Sequence, residues 1–159
     1  MAGLSCAAAL ETAGYAPVIF DKSRGVGGRM ATRRTTGGHQ FDHGAQYLTA
    51  EDDGFRRFLS AAAQAGSMAE WNLTGRTAFV GRPTMNAWCK TAAAALDTRL
   101  NHMVRGLDKG MAGWTVFTDA PHGPFDIVVL TTPAPQAAAL LGRDHEISQD
   151  ISQVEMAPC

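Results

Sequence analysis

The sequence has no apolar run approaching the ~20 residues that a membrane-spanning helix needs. It has no excess of charge of either sign: 14 Lys and Arg stand against 15 Asp and Glu, a formal net charge of -1. Non-specific nucleic-acid binding needs a surplus of phosphate-neutralising cations, so that class is excluded. Charged residues are 18% of the chain, below the usual ~25%. Cysteine is scarce. Cys6, Cys89 and Cys159 are odd in number and show no C-x-x-C spacing, which fits neither a disulfide framework nor a zinc site and points to a reducing cytoplasm. Met1 to Cys6 superficially resembles a lipoprotein cleavage box, but neither the basic nor the apolar region that must precede one is present. No G-x-S-x-G and no cysteine–histidine pairing point to hydrolysis.

What is there suits one domain of ordinary size: 159 residues, 45% of them hydrophobic. Glycine is abundant at 17 residues, and the glycines cluster. Leu4 to Thr12 reads as an alanine-rich helix ending at Gly14, and Val18-Ile19-Phe20 as a short buried strand. Phe55, Phe58, Leu59 and Ala62 follow helical spacing within Asp52–Ala65. Ala69–Leu73 and Thr77–Val80 alternate like strands, and Thr84 suits the N-cap of a helix that places Met85, Trp88, Cys89, Ala92 and Leu96 on one face. Asn101–Leu107 and Gly113–Thr118 read as strands joined around Asp108-Lys109-Gly110, Phe125–Leu130 as a strand buried on both faces, and Gln136–Leu141 as a short helix. The order implies an α/β fold with a β-rich insertion.

Two glycine-bearing segments carry chemistry. A dinucleotide fold opens with a strand, a G-x-G-x-x-G turn and a helix whose N-terminus faces the pyrophosphate; about 20 residues later an acid holds a ribose hydroxyl. Gly3 stands at such a junction, and Asp21 ends a strand 18 residues later. Met1 occupies the place of the first glycine and Cys6 that of the third, so a helix start followed by an ordinary surface aspartate is the competing reading. Directly after Asp21 and Lys22 comes Arg24-Gly25-Val26-Gly27-Gly28-Arg29-Met30-Ala31-Thr32-Arg33. Successive glycines let peptide N–H groups converge on an anion, and Arg24, Arg29 and Arg33 add forked donors suited to phosphate.

The run Val18 to Arg33 resembles the FAD-binding segment of renalase-like FAD-dependent oxidoreductases, in the flavin amine oxidase superfamily. Phe41-Asp42-His43-Gly44-Ala45-Gln46-Tyr47 is similar to the family's segment beneath the flavin. Gly81–Asn86 resembles its glycine-proline-methionine turn, and Phe125–Ala137 its strand returning to the nucleotide. The resemblance implies a Rossmann-like, doubly wound FAD-binding domain lacking its first strand. Residues 1–50 and 98–145 would form the FAD-binding part, and 51–97 a helical and β-rich insertion that begins the substrate domain. Residues 146–159 would be a C-terminal segment that breaks off, making the chain an internal piece of a longer flavoprotein.

By the same resemblance, Gly3 and Ser5 would meet the FAD pyrophosphate and Asp21 the adenosine ribose. Gly27, Gly28 and Arg29 would line the phosphate and ribityl side, with Lys22 and Arg24 beside them. Gly44, Ala45 and Gln46 would lie against the isoalloxazine, and Val104 would touch adenine through its backbone. The implied activity is hydride transfer from a small-molecule substrate, a dihydronicotinamide or an amine, to flavin and then to oxygen. The cofactor performs the chemistry, and no side chain is singled out as catalytic. The partner implied for the chain itself is a complementary segment of the same fold; neither nucleic acid nor membrane is expected. A non-catalytic remnant and an NAD(P)-binding module remain the other readings. His39 and His43 flank Asp42 but lie in an extended or loop stretch, so no metal site is expected. His102, His122 and His145 read as isolated surface residues, and Trp71, Trp88 and Trp114 as core or cavity walls.

Overall fold

The computed structural model describes residues 1–73 and 75–157. The chain opens with α1 (Ala2–Thr12), whose Leu4 and Ala7 are buried; Gly14, at φ +88°, turns it toward β1 (Val18–Phe20). A glycine-rich turn follows, ending in one 3₁₀ turn at Gly28–Met30. The hairpin of β2 (Thr32–Arg34) and β3 (Gln40–Asp42) comes next, and then α2 (Asp53–Gln64). An antiparallel pair, β4 (Met68–Leu73) and β5 (Arg76–Gly81), leads into α3 (Ala87–Ala94) and β6 (Asp97–Arg99). A three-stranded meander of β7 (Gly106–Gly110), β8 (Gly113–Phe117) and β9 (Pro121–Phe125) precedes α4 (Ala134–Leu141) and α5 (Ser148–Ser152).

Helix α2 illustrates why these residues take these forms. The Asp52 carboxylate accepts from the Phe55 N–H at 2.7 Å, satisfying an otherwise orphaned donor. Helical spacing then buries Leu59 and Ala62. They join Leu4, Met30, Met68, Phe79, Met85 and Cys89 in one core, so α1, α2, α3, the β4–β5 pair and the glycine turn share a single apolar centre.

Of a doubly wound sheet, the described residues form one parallel pair: β1 and β6, with Val18 opposite Asp97 and Phe20 opposite Arg99. The expected buried strand Phe125–Leu130 is corrected. Only Phe125 belongs to a strand, and it pairs with Trp114 in the meander. Ile127 is 68% exposed and Val129 52%. Among the described residues, no backbone hydrogen bond reaches Ile127–Thr131, and β1 is bonded along one edge only. A segment apolar enough for burial on both faces needs a ladder partner on each side, and nothing in the described chain supplies one.

Three smaller expectations also shift. The meander turn falls at Met111–Ala112 rather than around Asp108–Gly110, because the glycines of the Gly110↔Gly113 pair close the ladder. Helix α3 starts at Ala87, so Thr84 and Met85 lie in the turn before it rather than at its cap and first position. Trp71 is not a core residue: it is 45% exposed and meets Tyr47 edge to face at 6.2 Å.

Candidate nucleotide-binding site

Strand β1 delivers Asp21 at its end. The Asp21 N–H extends the pairing with β6 by donating to the Arg99 carbonyl (3.0 Å), and its own carbonyl accepts from the His102 N–H (2.9 Å). The carboxylate folds back to accept from the Ser23 N–H at 2.8 Å, an Asx turn that starts the glycine loop. Ser23 in turn accepts from the Asn101 N–H at 3.0 Å, tying the loop's entrance to the chain leaving β6.

Among the described residues, the peptide N–H groups of Arg24, Gly25, Val26, Gly27, Gly28 and Arg29 make no hydrogen bond. Gly27 is buried, with φ +127°, and Gly28 has φ +54°, so glycine is needed at both. The Lys22, Arg24, Arg29 and Arg33 side chains are exposed and form no ion pair with a carboxylate among the described residues. A run of unpartnered donors edged by unpaired cations is an arrangement for binding an anion.

The second family-like segment lies against this loop. The Ala45 N–H donates to the Arg29 carbonyl at 2.8 Å. Gly44 sits so close to that carbonyl that a Cβ there would collide with it. Gln46 and Gly44 are exposed. Leu4, in the first turn of α1, packs in the same core as Val26 and Met30. A Cβ on Gly3 would stand 3.0 Å from the Thr131 hydroxyl, which places the start of α1 beside the segment that leaves the meander. Ser5 is exposed, one residue beyond Leu4. Val104 lies in the link between β6 and β7, two residues after His102 and one before Arg105, whose N–H donates to the Phe117 carbonyl at 2.8 Å. Its own backbone makes no hydrogen bond among the described residues. The structure thus joins Asp21, Lys22 and Arg24 to Gly27–Arg29 through one loop, and joins Gly44 and Ala45 to Arg29 by direct contact. Among the described residues, no hydrogen bond joins Gly3, Ser5 or Val104 to that loop.

Two features escaped the sequence. One is a polar cluster against the glycine loop, with Thr84 and Asn86 buried and Thr32 and Asp42 half-buried. Thr32 donates to the Asp42 carboxylate (2.5 Å), which also accepts from the Met85 N–H at 3.2 Å to each oxygen. Thr84 donates to Asn86 Oδ1 (2.9 Å), and Asn86 Nδ2 donates to the Val26 carbonyl (3.4 Å). These partners stand up to 60 residues apart, and no local spacing announces them.

The other corrects the reading of His102 and His122 as isolated. Their rings lie 5.8 Å apart, and both meet Phe20, at 6.1 and 4.9 Å. His102 Nδ1 donates to the Leu100 carbonyl (2.8 Å), and His122 Nε2 lies 2.8 Å from the Thr118 hydroxyl. Their partners come from β1 and the meander, which sequence alone does not bring together. The third, His145, lies against Trp114 at 6.3 Å.

Nearby electrostatics are modest. Hydrogen bonding from the Arg99 guanidinium holds the Asp97 carboxyl below its ordinary value, and the same bond raises Arg99. Arg99 also stands over the Phe20 ring at 5.5 Å. Among the described residues, no group of three or more His, Cys, Asp or Glu is arranged to hold a metal, and no helix is long and apolar enough to cross a membrane. Residues 1–62, from α1 through the glycine loop and into α2, match the family model described as the NAD(P)-binding Rossmann-like domain.

Proposed function

We propose that the chain is the FAD-binding part of an oxidoreductase, holding the cofactor's pyrophosphate on the Arg24–Arg29 loop. The observation that carries this reading is the run of six consecutive peptide N–H groups, Arg24 to Arg29, without partners among the described residues, just beyond the Asp21 turn and edged by arginines with no ion pair there. The residues present fit the group. Gly27, Gly28 and Arg29 would hold the phosphates and the ribityl side, with Lys22 and Arg24 adding charge. The Asp21 carboxylate, which keeps acceptor capacity beyond its bond to Ser23, would take the adenosine ribose. Gly3 and Ser5 would serve the pyrophosphate from α1. Gly44, Ala45 and Gln46 would lie along the isoalloxazine, and the Val104 backbone would meet adenine. The match of residues 1–62 supports a dinucleotide-binding oxidoreductase domain in general terms. The choice of FAD over a nicotinamide cofactor rests on the second glycine loop.

When bound, the flavin would supply hydride acceptance from a dihydronicotinamide or amine and electron transfer to oxygen. The work of this chain's residues is to bind and orient it. A second reading, nucleotide binding without turnover, is favoured by one observation: among the described residues, β1 keeps an unbonded edge and Ile127–Thr131 has no ladder partner. The visible spectrum after gel filtration with FAD tests the main proposal. Flavin bands that co-elute with the protein, and that are lost in Arg29→Ala, are expected. A colourless protein in both cases would sink it, and bound flavin that no reduced nicotinamide or amine bleaches favours the second reading.

A further inference from the structure

Asn86 lies outside the residues assigned to the cofactor, in the turn between β5 and α3, yet it forms the floor of the glycine loop. It is 5% exposed, and Thr84 beside it is 7%. Three contacts define its position. Its Nδ2 donates to the Val26 carbonyl at 3.4 Å. Its Cβ would stand 3.0 Å from a Cβ on Gly27, so only a glycine passes over it unhindered. Its Oδ1 accepts from the Thr84 hydroxyl at 2.9 Å and lies 3.2 Å from the Thr32 hydroxyl, whose proton goes to the nearer Asp42.

The Val26 carbonyl fixes which way the amide faces. A carbonyl can only accept, so Nδ2 must face the loop, and Oδ1 is left to accept from the Thr84 hydroxyl, which braces it. Turning that carbonyl inward turns the next peptide N–H, on Gly27, the other way. The Met85 N–H on Asp42, and Thr32 on the same carboxylate, hold the turn and the β2–β3 hairpin to one another. The amide is thus clamped from below before it meets the loop.

We propose that Asn86 is the positioning residue of the anion site, orienting the Val26–Gly27 peptide so that the loop's N–H groups converge on a diphosphate. This inference rests on the reading of the loop as a pyrophosphate site and adds a residue from the insertion to it. Asn86 acts through the loop backbone and touches no ligand atom. Its influence is therefore confined to the phosphates: a ligand with the adenosine portion alone does not feel it, whereas general loosening of the fold weakens both ligands alike.

Calorimetric titration of the full chain with ADP and with adenosine decides the matter. In Asn86→Ala we expect ADP to bind about tenfold more weakly, the scale of one to two net hydrogen bonds, with adenosine within about twofold of its original affinity. Thr84→Val keeps the shape of the side chain and removes the hydroxyl that braces the amide oxygen. It is expected to weaken ADP by about threefold, again sparing adenosine, and it decides the question should Asn86→Ala fail to fold by circular dichroism. Unchanged ADP affinity in folded variants, or an equal loss for both ligands, overturns the proposal. A wild-type chain that binds ADP no more tightly than adenosine overturns the pyrophosphate reading itself, and the role of Asn86 with it. A wild-type preference for ADP that survives in both variants overturns the role of Asn86 alone.

Discussion

At Gly27 two demands meet on one residue. The backbone holds φ +127°, which L side chains rarely adopt, and an added Cβ would crowd Asn86 from one side and the Ala31 backbone from the other. Gly44 is constrained differently: its backbone is ordinary, but the Arg29 carbonyl occupies the space a side chain would need. The sequence made the first legible, because clustered glycines beside arginines signal an anion loop. It hid the second, because close approach between residues 29 and 44 is a tertiary fact. Cys89 shows a further effect of placement. The thiol is fully buried, and burial pushes it above the ordinary 9.0. Above about pH 9 the unfolded chain releases this proton while the folded chain keeps it. The unfolded state then binds fewer protons, so stability is complete below that pH and falls as pH rises through the folded value. Unfolding free energies from urea titrations between pH 7 and 10.5 should fall at the alkaline end. Cys89→Ala should start lower, from the cavity it opens, and decline less steeply.

At the scale of elements, those whose cause lies within a dozen residues are readable and the others are not. Helix α2 is the clearest case, with an apolar stripe through Phe55, Phe58 and Leu59 and an acidic cap at Asp52. Its phenylalanines continue the pattern outward: Phe55 stacks on Phe58 at 6.0 Å, and Phe58 meets Trp88 of α3 edge to face at 5.0 Å. Replacing Asp52 by Ala strands the Phe55 N–H and should cost ~0.5–2 kcal/mol, read as a lower urea midpoint with an unchanged slope. Strand β6 is the opposite case. Asp97-Thr98-Arg99 has three polar or charged residues, no alternation and no apolar core. It is a strand only because β1, far away in the chain, offers an edge. The short β2–β3 hairpin is equally quiet in sequence, since much of its anchoring comes from Asp42 and Thr32 reaching the turn before α3.

For the whole molecule, the apolar centre lies among α1, α2, α3 and the β4–β5 pair, while the parallel sheet is two strands wide. Val128 and Leu130 are half-buried, but Ile127 and Val129 are exposed; among the described residues neither makes a ladder bond, and the far edge of β1 is equally bare. Bare apolar edges recruit other chains. We therefore expect association that grows with concentration in light scattering. Val129→Lys should suppress it without changing the far-ultraviolet circular dichroism; scattering identical to wild type would show that another surface is responsible. The glycine loop and its arginines were legible in the sequence, because their pattern is local. The sequence misjudged Phe125–Leu130, because composition says what a strand would bury and only topology says whether a neighbour exists to bury it.

The clamp beneath the glycine loop also orders events in time. Val26 leaves the ribosome 60 residues before the side chain that grips its carbonyl, an interval of roughly 3–12 s at ordinary translation speeds. Throughout that wait the nascent loop has its arginines but no floor. The finished loop is a late product of synthesis, and its final shape waits on the turn before α3 rather than on the segment that bears the glycines.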